Sequence, residues 1–312
     1  MDLKKELLAG NKRAAARLIS LLENGDKEAI NILKELYKIT GKARVIGITG
    51  PPGAGKSTVT DRLTKLLRKK GHSVGIVAVD PTSPFTGGAI LGDRVRMTDL
   101  ATDQGVFIRS MGTRGALGGL SKAAHAAVNV LDIYGCDYIF IETVGVGQSE
   151  IDIVKVADTI LMVMVPGLGD DIQAIKAGIM EIGDVFVVNK SDRDGSERTA
   201  LELEAMLDFN RDQEYRPPVI NIIARDNTKI DVLLEKLEEH MKYMHESGKF
   251  EARHRINVKT EIFELFKNYI MSTVGEMGEN SELALELVDS VVNKASDPYT
   301  AVERLVEAFK RV

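Results

Sequence analysis

The sequence predicts an α/β fold: a mainly parallel central sheet flanked by helices, with helical extensions at the N- and C-termini. Three observations lead there. Between residue 44 and about residue 245, short apolar runs of strand length alternate with segments whose apolar residues recur every three to four positions. The first run ends in a glycine-rich turn that opens straight into a helical pattern, as in a parallel β–α unit. Residues 2–39 and 258–312 keep helical spacing and contain no strand-like run. The 312 residues have room for one large α/β domain (42–247) with an N-terminal extension (1–41) and a C-terminal helical segment (248–312).

In the N-terminal extension, Leu3, Leu7 and Leu8, then Leu18, Leu21 and Leu22, then Ile30, Leu33 and Leu36 share helical spacing. Gly10-Asn11 and Asn24-Gly25-Asp26 break the stretch into short helices. Thr40-Gly41-Lys42 leads into the first strand. Strands are predicted near 44–49, 73–79, 105–109, 137–142, 159–165, 184–189 and 218–223. Residues 227–245 read as an amphipathic helix on Ile230, Leu233, Leu234, Leu237 and Met241. Residues 248–254 form a connector or a helix start. Beyond them Phe263, Leu265 and Phe266 make one apolar patch, and Leu283, Leu285, Leu287 and Val288 another. Asp297-Pro298-Tyr299 supplies a cap and a proline for a last helix carrying Val302, Leu305 and Phe309. The flanking helices are too small for good cores of their own and should dock on the sheet or on another subunit.

Composition excludes several classes. Apolar residues make up 44% and charged residues 28%, with a net charge of −5, so there is no electrostatic footprint for nucleic acid. Arg68-Lys69-Lys70 reads as the solvated end of a helix. No apolar run approaches the ~20 residues needed to span a bilayer, and Met1-Asp-Leu-Lys-Lys-Glu lacks the apolar centre of a signal peptide, so a cytoplasmic protein without membrane attachment is expected. The single Cys136 rules out an internal disulfide; it enters a strand and is expected to be a small buried apolar residue. With only five His besides, no Cys/His metal cluster is expected.

The turn after the first strand carries the chemistry. Gly50, Pro51, Pro52, Gly53, Ala54, Gly55, Lys56 and Ser57, followed by Thr58, spell G-x-x-x-x-G-K-[ST] between a strand and a helix. Glycines let backbone N–H groups converge on phosphate oxygens at the positive end of the helix. Lys56 adds a charge for the β- and γ-phosphates, and Ser57 a hydroxyl for Mg²⁺. The loop reads as surface-placed, so Lys56→Ala is expected to abolish hydrolysis and spare the fold.

Asn189, Lys190, Ser191 and Asp192 end the sixth predicted strand as N-K-x-D, a guanine-reading arrangement. The Asp192 carboxylate can accept from N1–H and the N2 amine of guanine. Adenine lacks N1–H and would leave it desolvated and unpaired, a mismatch worth roughly 10⁴-fold. The stem of Lys190 can lie along the base plane while its amine stays solvated. The nucleotide is expected to be GTP.

Candidate metal ligands and switch elements lie between the two motifs. Asp80 follows the second strand and Glu142 ends the fourth, both placed for Mg²⁺; Glu142 stands where Asp is common and can act through a metal-bound water. Asp93, in Gly92-Asp-Arg-Val-Arg96, is either a third metal-proximal acid or a helix cap. The Gly145 N–H can reach the γ-phosphate. No Gln follows it directly; Gln148 is displaced by two residues. Intrinsic hydrolysis is therefore expected to be slow, completed by a partner or by the glycine-rich loop from Pro166 to Gln173 followed by Lys176. The Arg109–Gly119 stretch is either a partner-facing switch or a plain flexible loop.

These residues together, with Val79-Asp-Pro-Thr-Ser-Pro84, Thr113-Arg-Gly-Ala-Leu-Gly-Gly119 and Glu142-Thr-Val-Gly-Val-Gly-Gln-Ser149, resemble the methylmalonyl-CoA mutase-associated GTPases of the MeaB/ArgK type, within the metallochaperone-like P-loop NTPases. Arg13-Ala-Ala-Ala-Arg17 and Asp297-Pro-Tyr-Thr-Ala301 extend the resemblance into both flanks. It implies a GTP-dependent chaperone that gates adenosylcobalamin loading of a B12-dependent acyl-CoA mutase and protects that enzyme. It also implies a homodimer through the C-terminal helices. By position, Lys56 and Ser57 handle phosphate and Mg²⁺, Asp80, Asp93 and Glu142 are metal-proximal, Asn189, Lys190 and Asp192 read guanine, and 165–176 is an extra switch. The family's base-contacting S-A-[R/L] is Ile223-Ala224-Arg225 here. The Ala224 N–H can still meet guanine O6, but the hydroxyl is gone. The chain lacks D-x-H-x-x-G, so cobalamin is expected on the partner and not on this protein. The alternatives are a P-loop kinase of a small substrate, which the guanine motif opposes, and a nickel-insertion GTPase, which would need more Cys/His ligands.

Overall fold

The structure is a computed structural model describing residues 2–80, 98–112, 119–143, 152–167, 181–208, 214–278 and 281–309. Each predicted strand forms: β1 (Arg44–Thr49), β2 (Val74–Asp80), β3 (Val106–Gly112), β4 (Tyr138–Thr143), β5 (Thr159–Met164), β6 (Val185–Val188) and β7 (Val219–Asn221). They build one sheet of order β3-β2-β4-β1-β5-β6-β7, and every neighbouring pair is parallel.

Strands buried on both faces read as continuous apolar runs, and alternate residues separate two cores. Ile46, Ile48, Phe140, Leu161, Val163 and Val187 face the core beneath α4 (Lys56–Lys69) and a later helix, Ile230–Glu246. Val45, Ile139, Ile141 and Ile160 face the opposite core, which Leu7, Leu18 and Ile19 complete from the N-terminal helices α1 (Leu3–Leu8), α2 (Lys12–Glu23) and α3 (Lys27–Leu36). Those helices are interrupted at Gly10 and Gly25, at φ +74° and +73°. Asp2, Asn11 and Asp26 cap them by accepting backbone N–H groups. The N-terminal extension therefore docks on the sheet. The remaining helices are α5 (Thr98–Ala101), α6 (Gly119–Tyr134), α7 (Ser196–Asp208), α8 (Ile230–Glu246), α9 (Lys249–Gly278), α10 (Glu282–Val292) and α11 (Pro298–Phe309).

Cys136 is buried, and burial pushes its thiol up to about 12, as suits a small core residue. Arg68, read as solvated, instead pairs with Asp103 at 3.1 Å and donates to the His72 carbonyl at 2.7 Å. The five apolar residues predicted for α8 are all buried.

Residues 249–254 begin α9, which makes 248–254 a helix start. There Arg253 donates to both oxygens of the buried Asp184 at 2.7 and 2.8 Å. Burial alone would raise the Asp184 carboxyl, but the Arg253 and His240 contacts prevail and hold it below the usual carboxylate range. Removing one partner of such a pair strands the other charge, so Arg253→Ala should cost about 3 kcal/mol in urea unfolding. The stabilisation from Asp184 is fully present above the unfolded carboxylate pKa of about 4 and is lost as pH falls through the lower folded value. Loss of this acid-limb dependence in Arg253→Ala checks the assignment.

The chain divides into two compact units, Met1–Val258 and Lys259–Val312. In the second, α10 and α11 bury Ala284, Leu287 and Ala301. Asp297 caps α11 by accepting from the Tyr299 and Thr300 N–H groups, with Pro298 as its first residue, as predicted. Phe263, Phe266, Tyr269 and Val288 remain exposed.

Candidate nucleotide site

β1 delivers the glycine-rich turn to the C-terminal edge of the sheet, between β4 and β5. Gly50 has φ +137°, and a Cβ there would sit 2.1 Å from the Val163 carbonyl oxygen of β5. Only glycine lets the turn pass so close to the sheet. Gly50→Ala should therefore displace the turn, cost about 3 kcal/mol and abolish nucleotide retention, read by melting and fluorescent-nucleotide titration.

The turn closes on itself through Lys56, which is buried and donates from Nζ to the Gly50 and Pro51 carbonyls at 2.7 and 3.0 Å. Its Nζ thus already lies within the loop that curls around it. Only Pro52 and Gly53 are exposed at the tip. The surface-placed reading of the loop is corrected on this point, because the Lys56 stem fills the loop interior.

At the second residue of α4 the Ser57 hydroxyl donates to Glu142 Oε1 at 2.5 Å, and about one turn further on Thr60 Oγ1 donates to Glu142 Oε2 at 3.0 Å. Glu142 is buried at the end of β4, the strand beside β1. Asp80 ends β2, which pairs with β4 up to Val79 opposite Thr143. The Mg²⁺ that the fold implies takes hard oxygen ligands, and a hydroxyl and a carboxylate converging here fit it. Ser57 and Glu142 are placed to hold it, directly or through water, and bound metal would neutralise phosphate charge.

The N-K-x-D end is assembled from three segments. Asn189, at the end of β6 and buried, donates from Nδ2 to the Ala54 carbonyl at 2.8 Å and accepts at Oδ1 from the Lys190 and Ala224 N–H groups at 2.8 and 3.1 Å. Gly55 has to be glycine twice over: its φ is +88°, and a Cβ would meet Asn189 Nδ2 at 2.5 Å. Lys190, itself at φ +59°, crosses the loop to donate to the Gly53 carbonyl at 2.6 Å. Burial, helped by the nearby Arg193 and opposed by Asp192, lowers its ammonium below the ordinary lysine value. Asp192 is partly exposed, with Arg225 3.7 Å away. The structure thus brings together Gly50 through Ser57, Glu142, Asn189, Lys190, Asp192, Ala224 and Arg225.

Two residues of the Ile223-Ala224-Arg225 segment are bonded within the protein. The Ala224 N–H is already donated to Asn189, so a contact to guanine O6 has to be shared. Ile223 is tied by its N–H to the Thr228 carbonyl, closing a backbone turn. Asp93, Gly145, Gln148 and Lys176 lie outside the described residues, as do Arg114 and most of 165–176. Thr60 and Arg62, absent from the sequence reading, join the site from different faces of α4, Thr60 buried and Arg62 part-exposed. Thr60, four residues on from Lys56, lies one turn along the same face, which was the available signal; Arg62, six residues on, points from a different face and gave none.

A family model described as methylmalonyl Co-A mutase-associated GTPase MeaB matches residues 15–279. The chain belongs to the MeaB family. Among its relatives, a Pyrococcus horikoshii protein named as a GTPase is 50% identical over 311 residues, covering 98% of this chain and 97% of that one. A Caenorhabditis elegans protein named as a mitochondrial methylmalonic aciduria type A homolog is 32% identical over 325 residues, covering 98% and 82%. The solved structure of a LAO/AO transport system kinase superposes at TM-score 0.72 with 23% identity, covering 99% and 97%, which shows the shared fold. This MeaB-family chain is a P-loop GTPase that binds GTP and GDP. Among the described residues, no helix is long and apolar enough to cross a membrane, and no group of three or more His, Cys, Asp or Glu is placed to hold a metal ion.

Proposed function

We propose that this GTPase acts as a chaperone for an adenosylcobalamin-dependent acyl-CoA mutase, using GTP turnover to gate cofactor loading and to protect the enzyme. The observation that carries this is the family match across residues 15–279, supported by the joining of the glycine-rich loop to the N-K-x-D segment through Asn189 and Ala54. In this reading Lys56 and Ser57 engage phosphate and Mg²⁺, with Asp80, Asp93 and Glu142 as the metal-proximal acids. Gly145, Gln148 and Lys176 complete the hydrolytic end, Asn189, Lys190 and Asp192 read the base, and slow intrinsic turnover is accelerated by the partner. Cobalamin binds the mutase and not this chain.

The chain acts as a homodimer in the cytoplasm through its C-terminal segment (248–312), where Ile262, Phe263, Phe266 and Tyr269 expose apolar surface along α9. Side chains this large, clustered and uncovered, fit an interface. The test mixes the protein with an adenosylcobalamin-dependent mutase and follows complex mass by light scattering, GTP turnover, and cofactor transfer by absorbance. Nucleotide-dependent complex formation with faster turnover and gated transfer supports the reading. Absence of complex in both the GTP and GDP states refutes it.

A further inference from the structure

Arg62 is in none of the motifs, yet its guanidinium forks onto two successive carbonyls of the turn that follows β7. Nε donates to Ala224 O at 3.1 Å and a terminal nitrogen donates to Arg225 O at 2.9 Å. The same turn is held from its other side by Asn189, which takes the Ala224 N–H. One peptide segment is therefore gripped at its amide from β6 and at its carbonyls from α4.

We propose that Arg62 is a positioning residue for guanine recognition, fixing the 224–225 turn to the helix that carries the phosphate-binding lysine. The proposal rests on the reading of Asn189, Asp192 and the 223–225 turn as the base-reading end. Its physical basis is rigidity. α4 is anchored by fully buried Val59, Leu63 and Leu67, so a side chain leaving it is a stiff reference point. The planar fork of arginine loses less freedom per hydrogen bond than a lysine, and it matches two adjacent acceptors where lysine supplies one point contact. Downstream of the clamped carbonyls, Arg225 binds Asp226 through two nitrogens at 2.9 and 3.0 Å and lies 3.7 Å from Asp192. If the turn drifts, Arg225 and the shared Ala224 N–H drift with it, and Asp192 loses its neighbour. The phosphate end, built from Gly50–Ser57 at the start of the same helix, is joined to that turn through Asn189, which holds the Ala54 carbonyl with Nδ2 and takes the Ala224 N–H at Oδ1.

Binding of GTP, ATP and tripolyphosphate is therefore measured by calorimetry for the full-length wild type, Arg62→Ala, Arg62→Lys and Asp192→Asn. Arg62→Ala should weaken GTP about tenfold, as expected for losing two hydrogen bonds, and leave ATP and tripolyphosphate within about twofold. Arg62→Lys should fall between. Equal weakening of all three ligands by Arg62→Ala would show that Arg62 only supports α4, and an unchanged GTP/ATP ratio would show that it does not act on the base at all; either overturns the proposal. If Asp192→Asn leaves GTP affinity unchanged, the base-reading assignment itself fails and the proposal with it, a result distinct from a silent Arg62→Ala. Should Arg62→Ala not fold, Arg62→Lys and Arg62→Gln carry the same comparison.

Discussion

Asp192→Asn is expected to weaken GTP binding by about 100-fold and to bring XTP into the range that GTP occupies in the wild type. Guanine presents two donors, N1–H and the N2 amine, to a carboxylate that only accepts. Loss of a charge-assisted hydrogen bond costs about 1.5–3 kcal/mol, and an amide nitrogen turned toward the N2 amine sets donor against donor. Xanthine carries an oxygen at that position, so the amide can donate to it and still accept from N1–H. The carboxylate is partly exposed, and Arg225 sits 3.7 Å away, close enough to orient it without forming a tight pair. The fold should be unaffected, because the side chain fills no core. Fluorescence titration with GTP, XTP and ATP checks all of this, and unchanged GTP affinity would remove the base assignment.

Lys56→Ala is expected to lower GTP hydrolysis by about 10³-fold, to the edge of detection in a phosphate-release assay. A single preorganised donor at a transferring phosphoryl group contributes 10²–10³ in rate, and Lys56 is a full charge. The structure adds a cost that a surface-placed loop would not have. Lys56 is 6% exposed and its amine satisfies the Gly50 and Pro51 carbonyls. Alanine leaves both facing an emptied loop interior, so about 1–3 kcal/mol of stability should go with the activity. A melting curve beside the rate measurement separates the two losses. Retained hydrolysis with a lowered melting temperature would assign Lys56 a purely structural role.

Much of this was legible in the residues because the fold is built from strong local signals. Strands buried on both faces are near-continuous runs of Val, Ile and Met, as in Ile160–Val165, and their ends are marked by glycine or by polar turn residues. Cap residues such as Asp26 and Asp297 sit where the patterns begin. The phosphate loop and N-K-x-D are contiguous, so the atoms they align come from neighbouring residues. The Ile223-Ala224-Arg225 turn was harder to read. Its missing hydroxyl removes a side-chain contact, and its backbone amide is already bound to Asn189 by a contact between residues 35 positions apart. Lys56 was misplaced for a similar reason. A lysine in a glycine-rich loop looks solvated until the loop is seen to fold around its stem.

The sequence by itself determined the strand and helix complement, the phosphate loop, the guanine-type motif and the apolar character of the C-terminal helices, since each depends on residues within a few positions of one another. Only the tertiary structure decided the strand order β3-β2-β4-β1-β5-β6-β7, which sets β4 against β1. That adjacency brings Glu142 onto Ser57 and Thr60, while the β1-β5-β6-β7 half of the order joins Asn189 to Ala54 and sets the turn after β7 within reach of Arg62. The reason is that parallel crossovers bring distant segments to one sheet edge, and the pairing order is set by how both faces bury their apolar side chains, which no local pattern encodes.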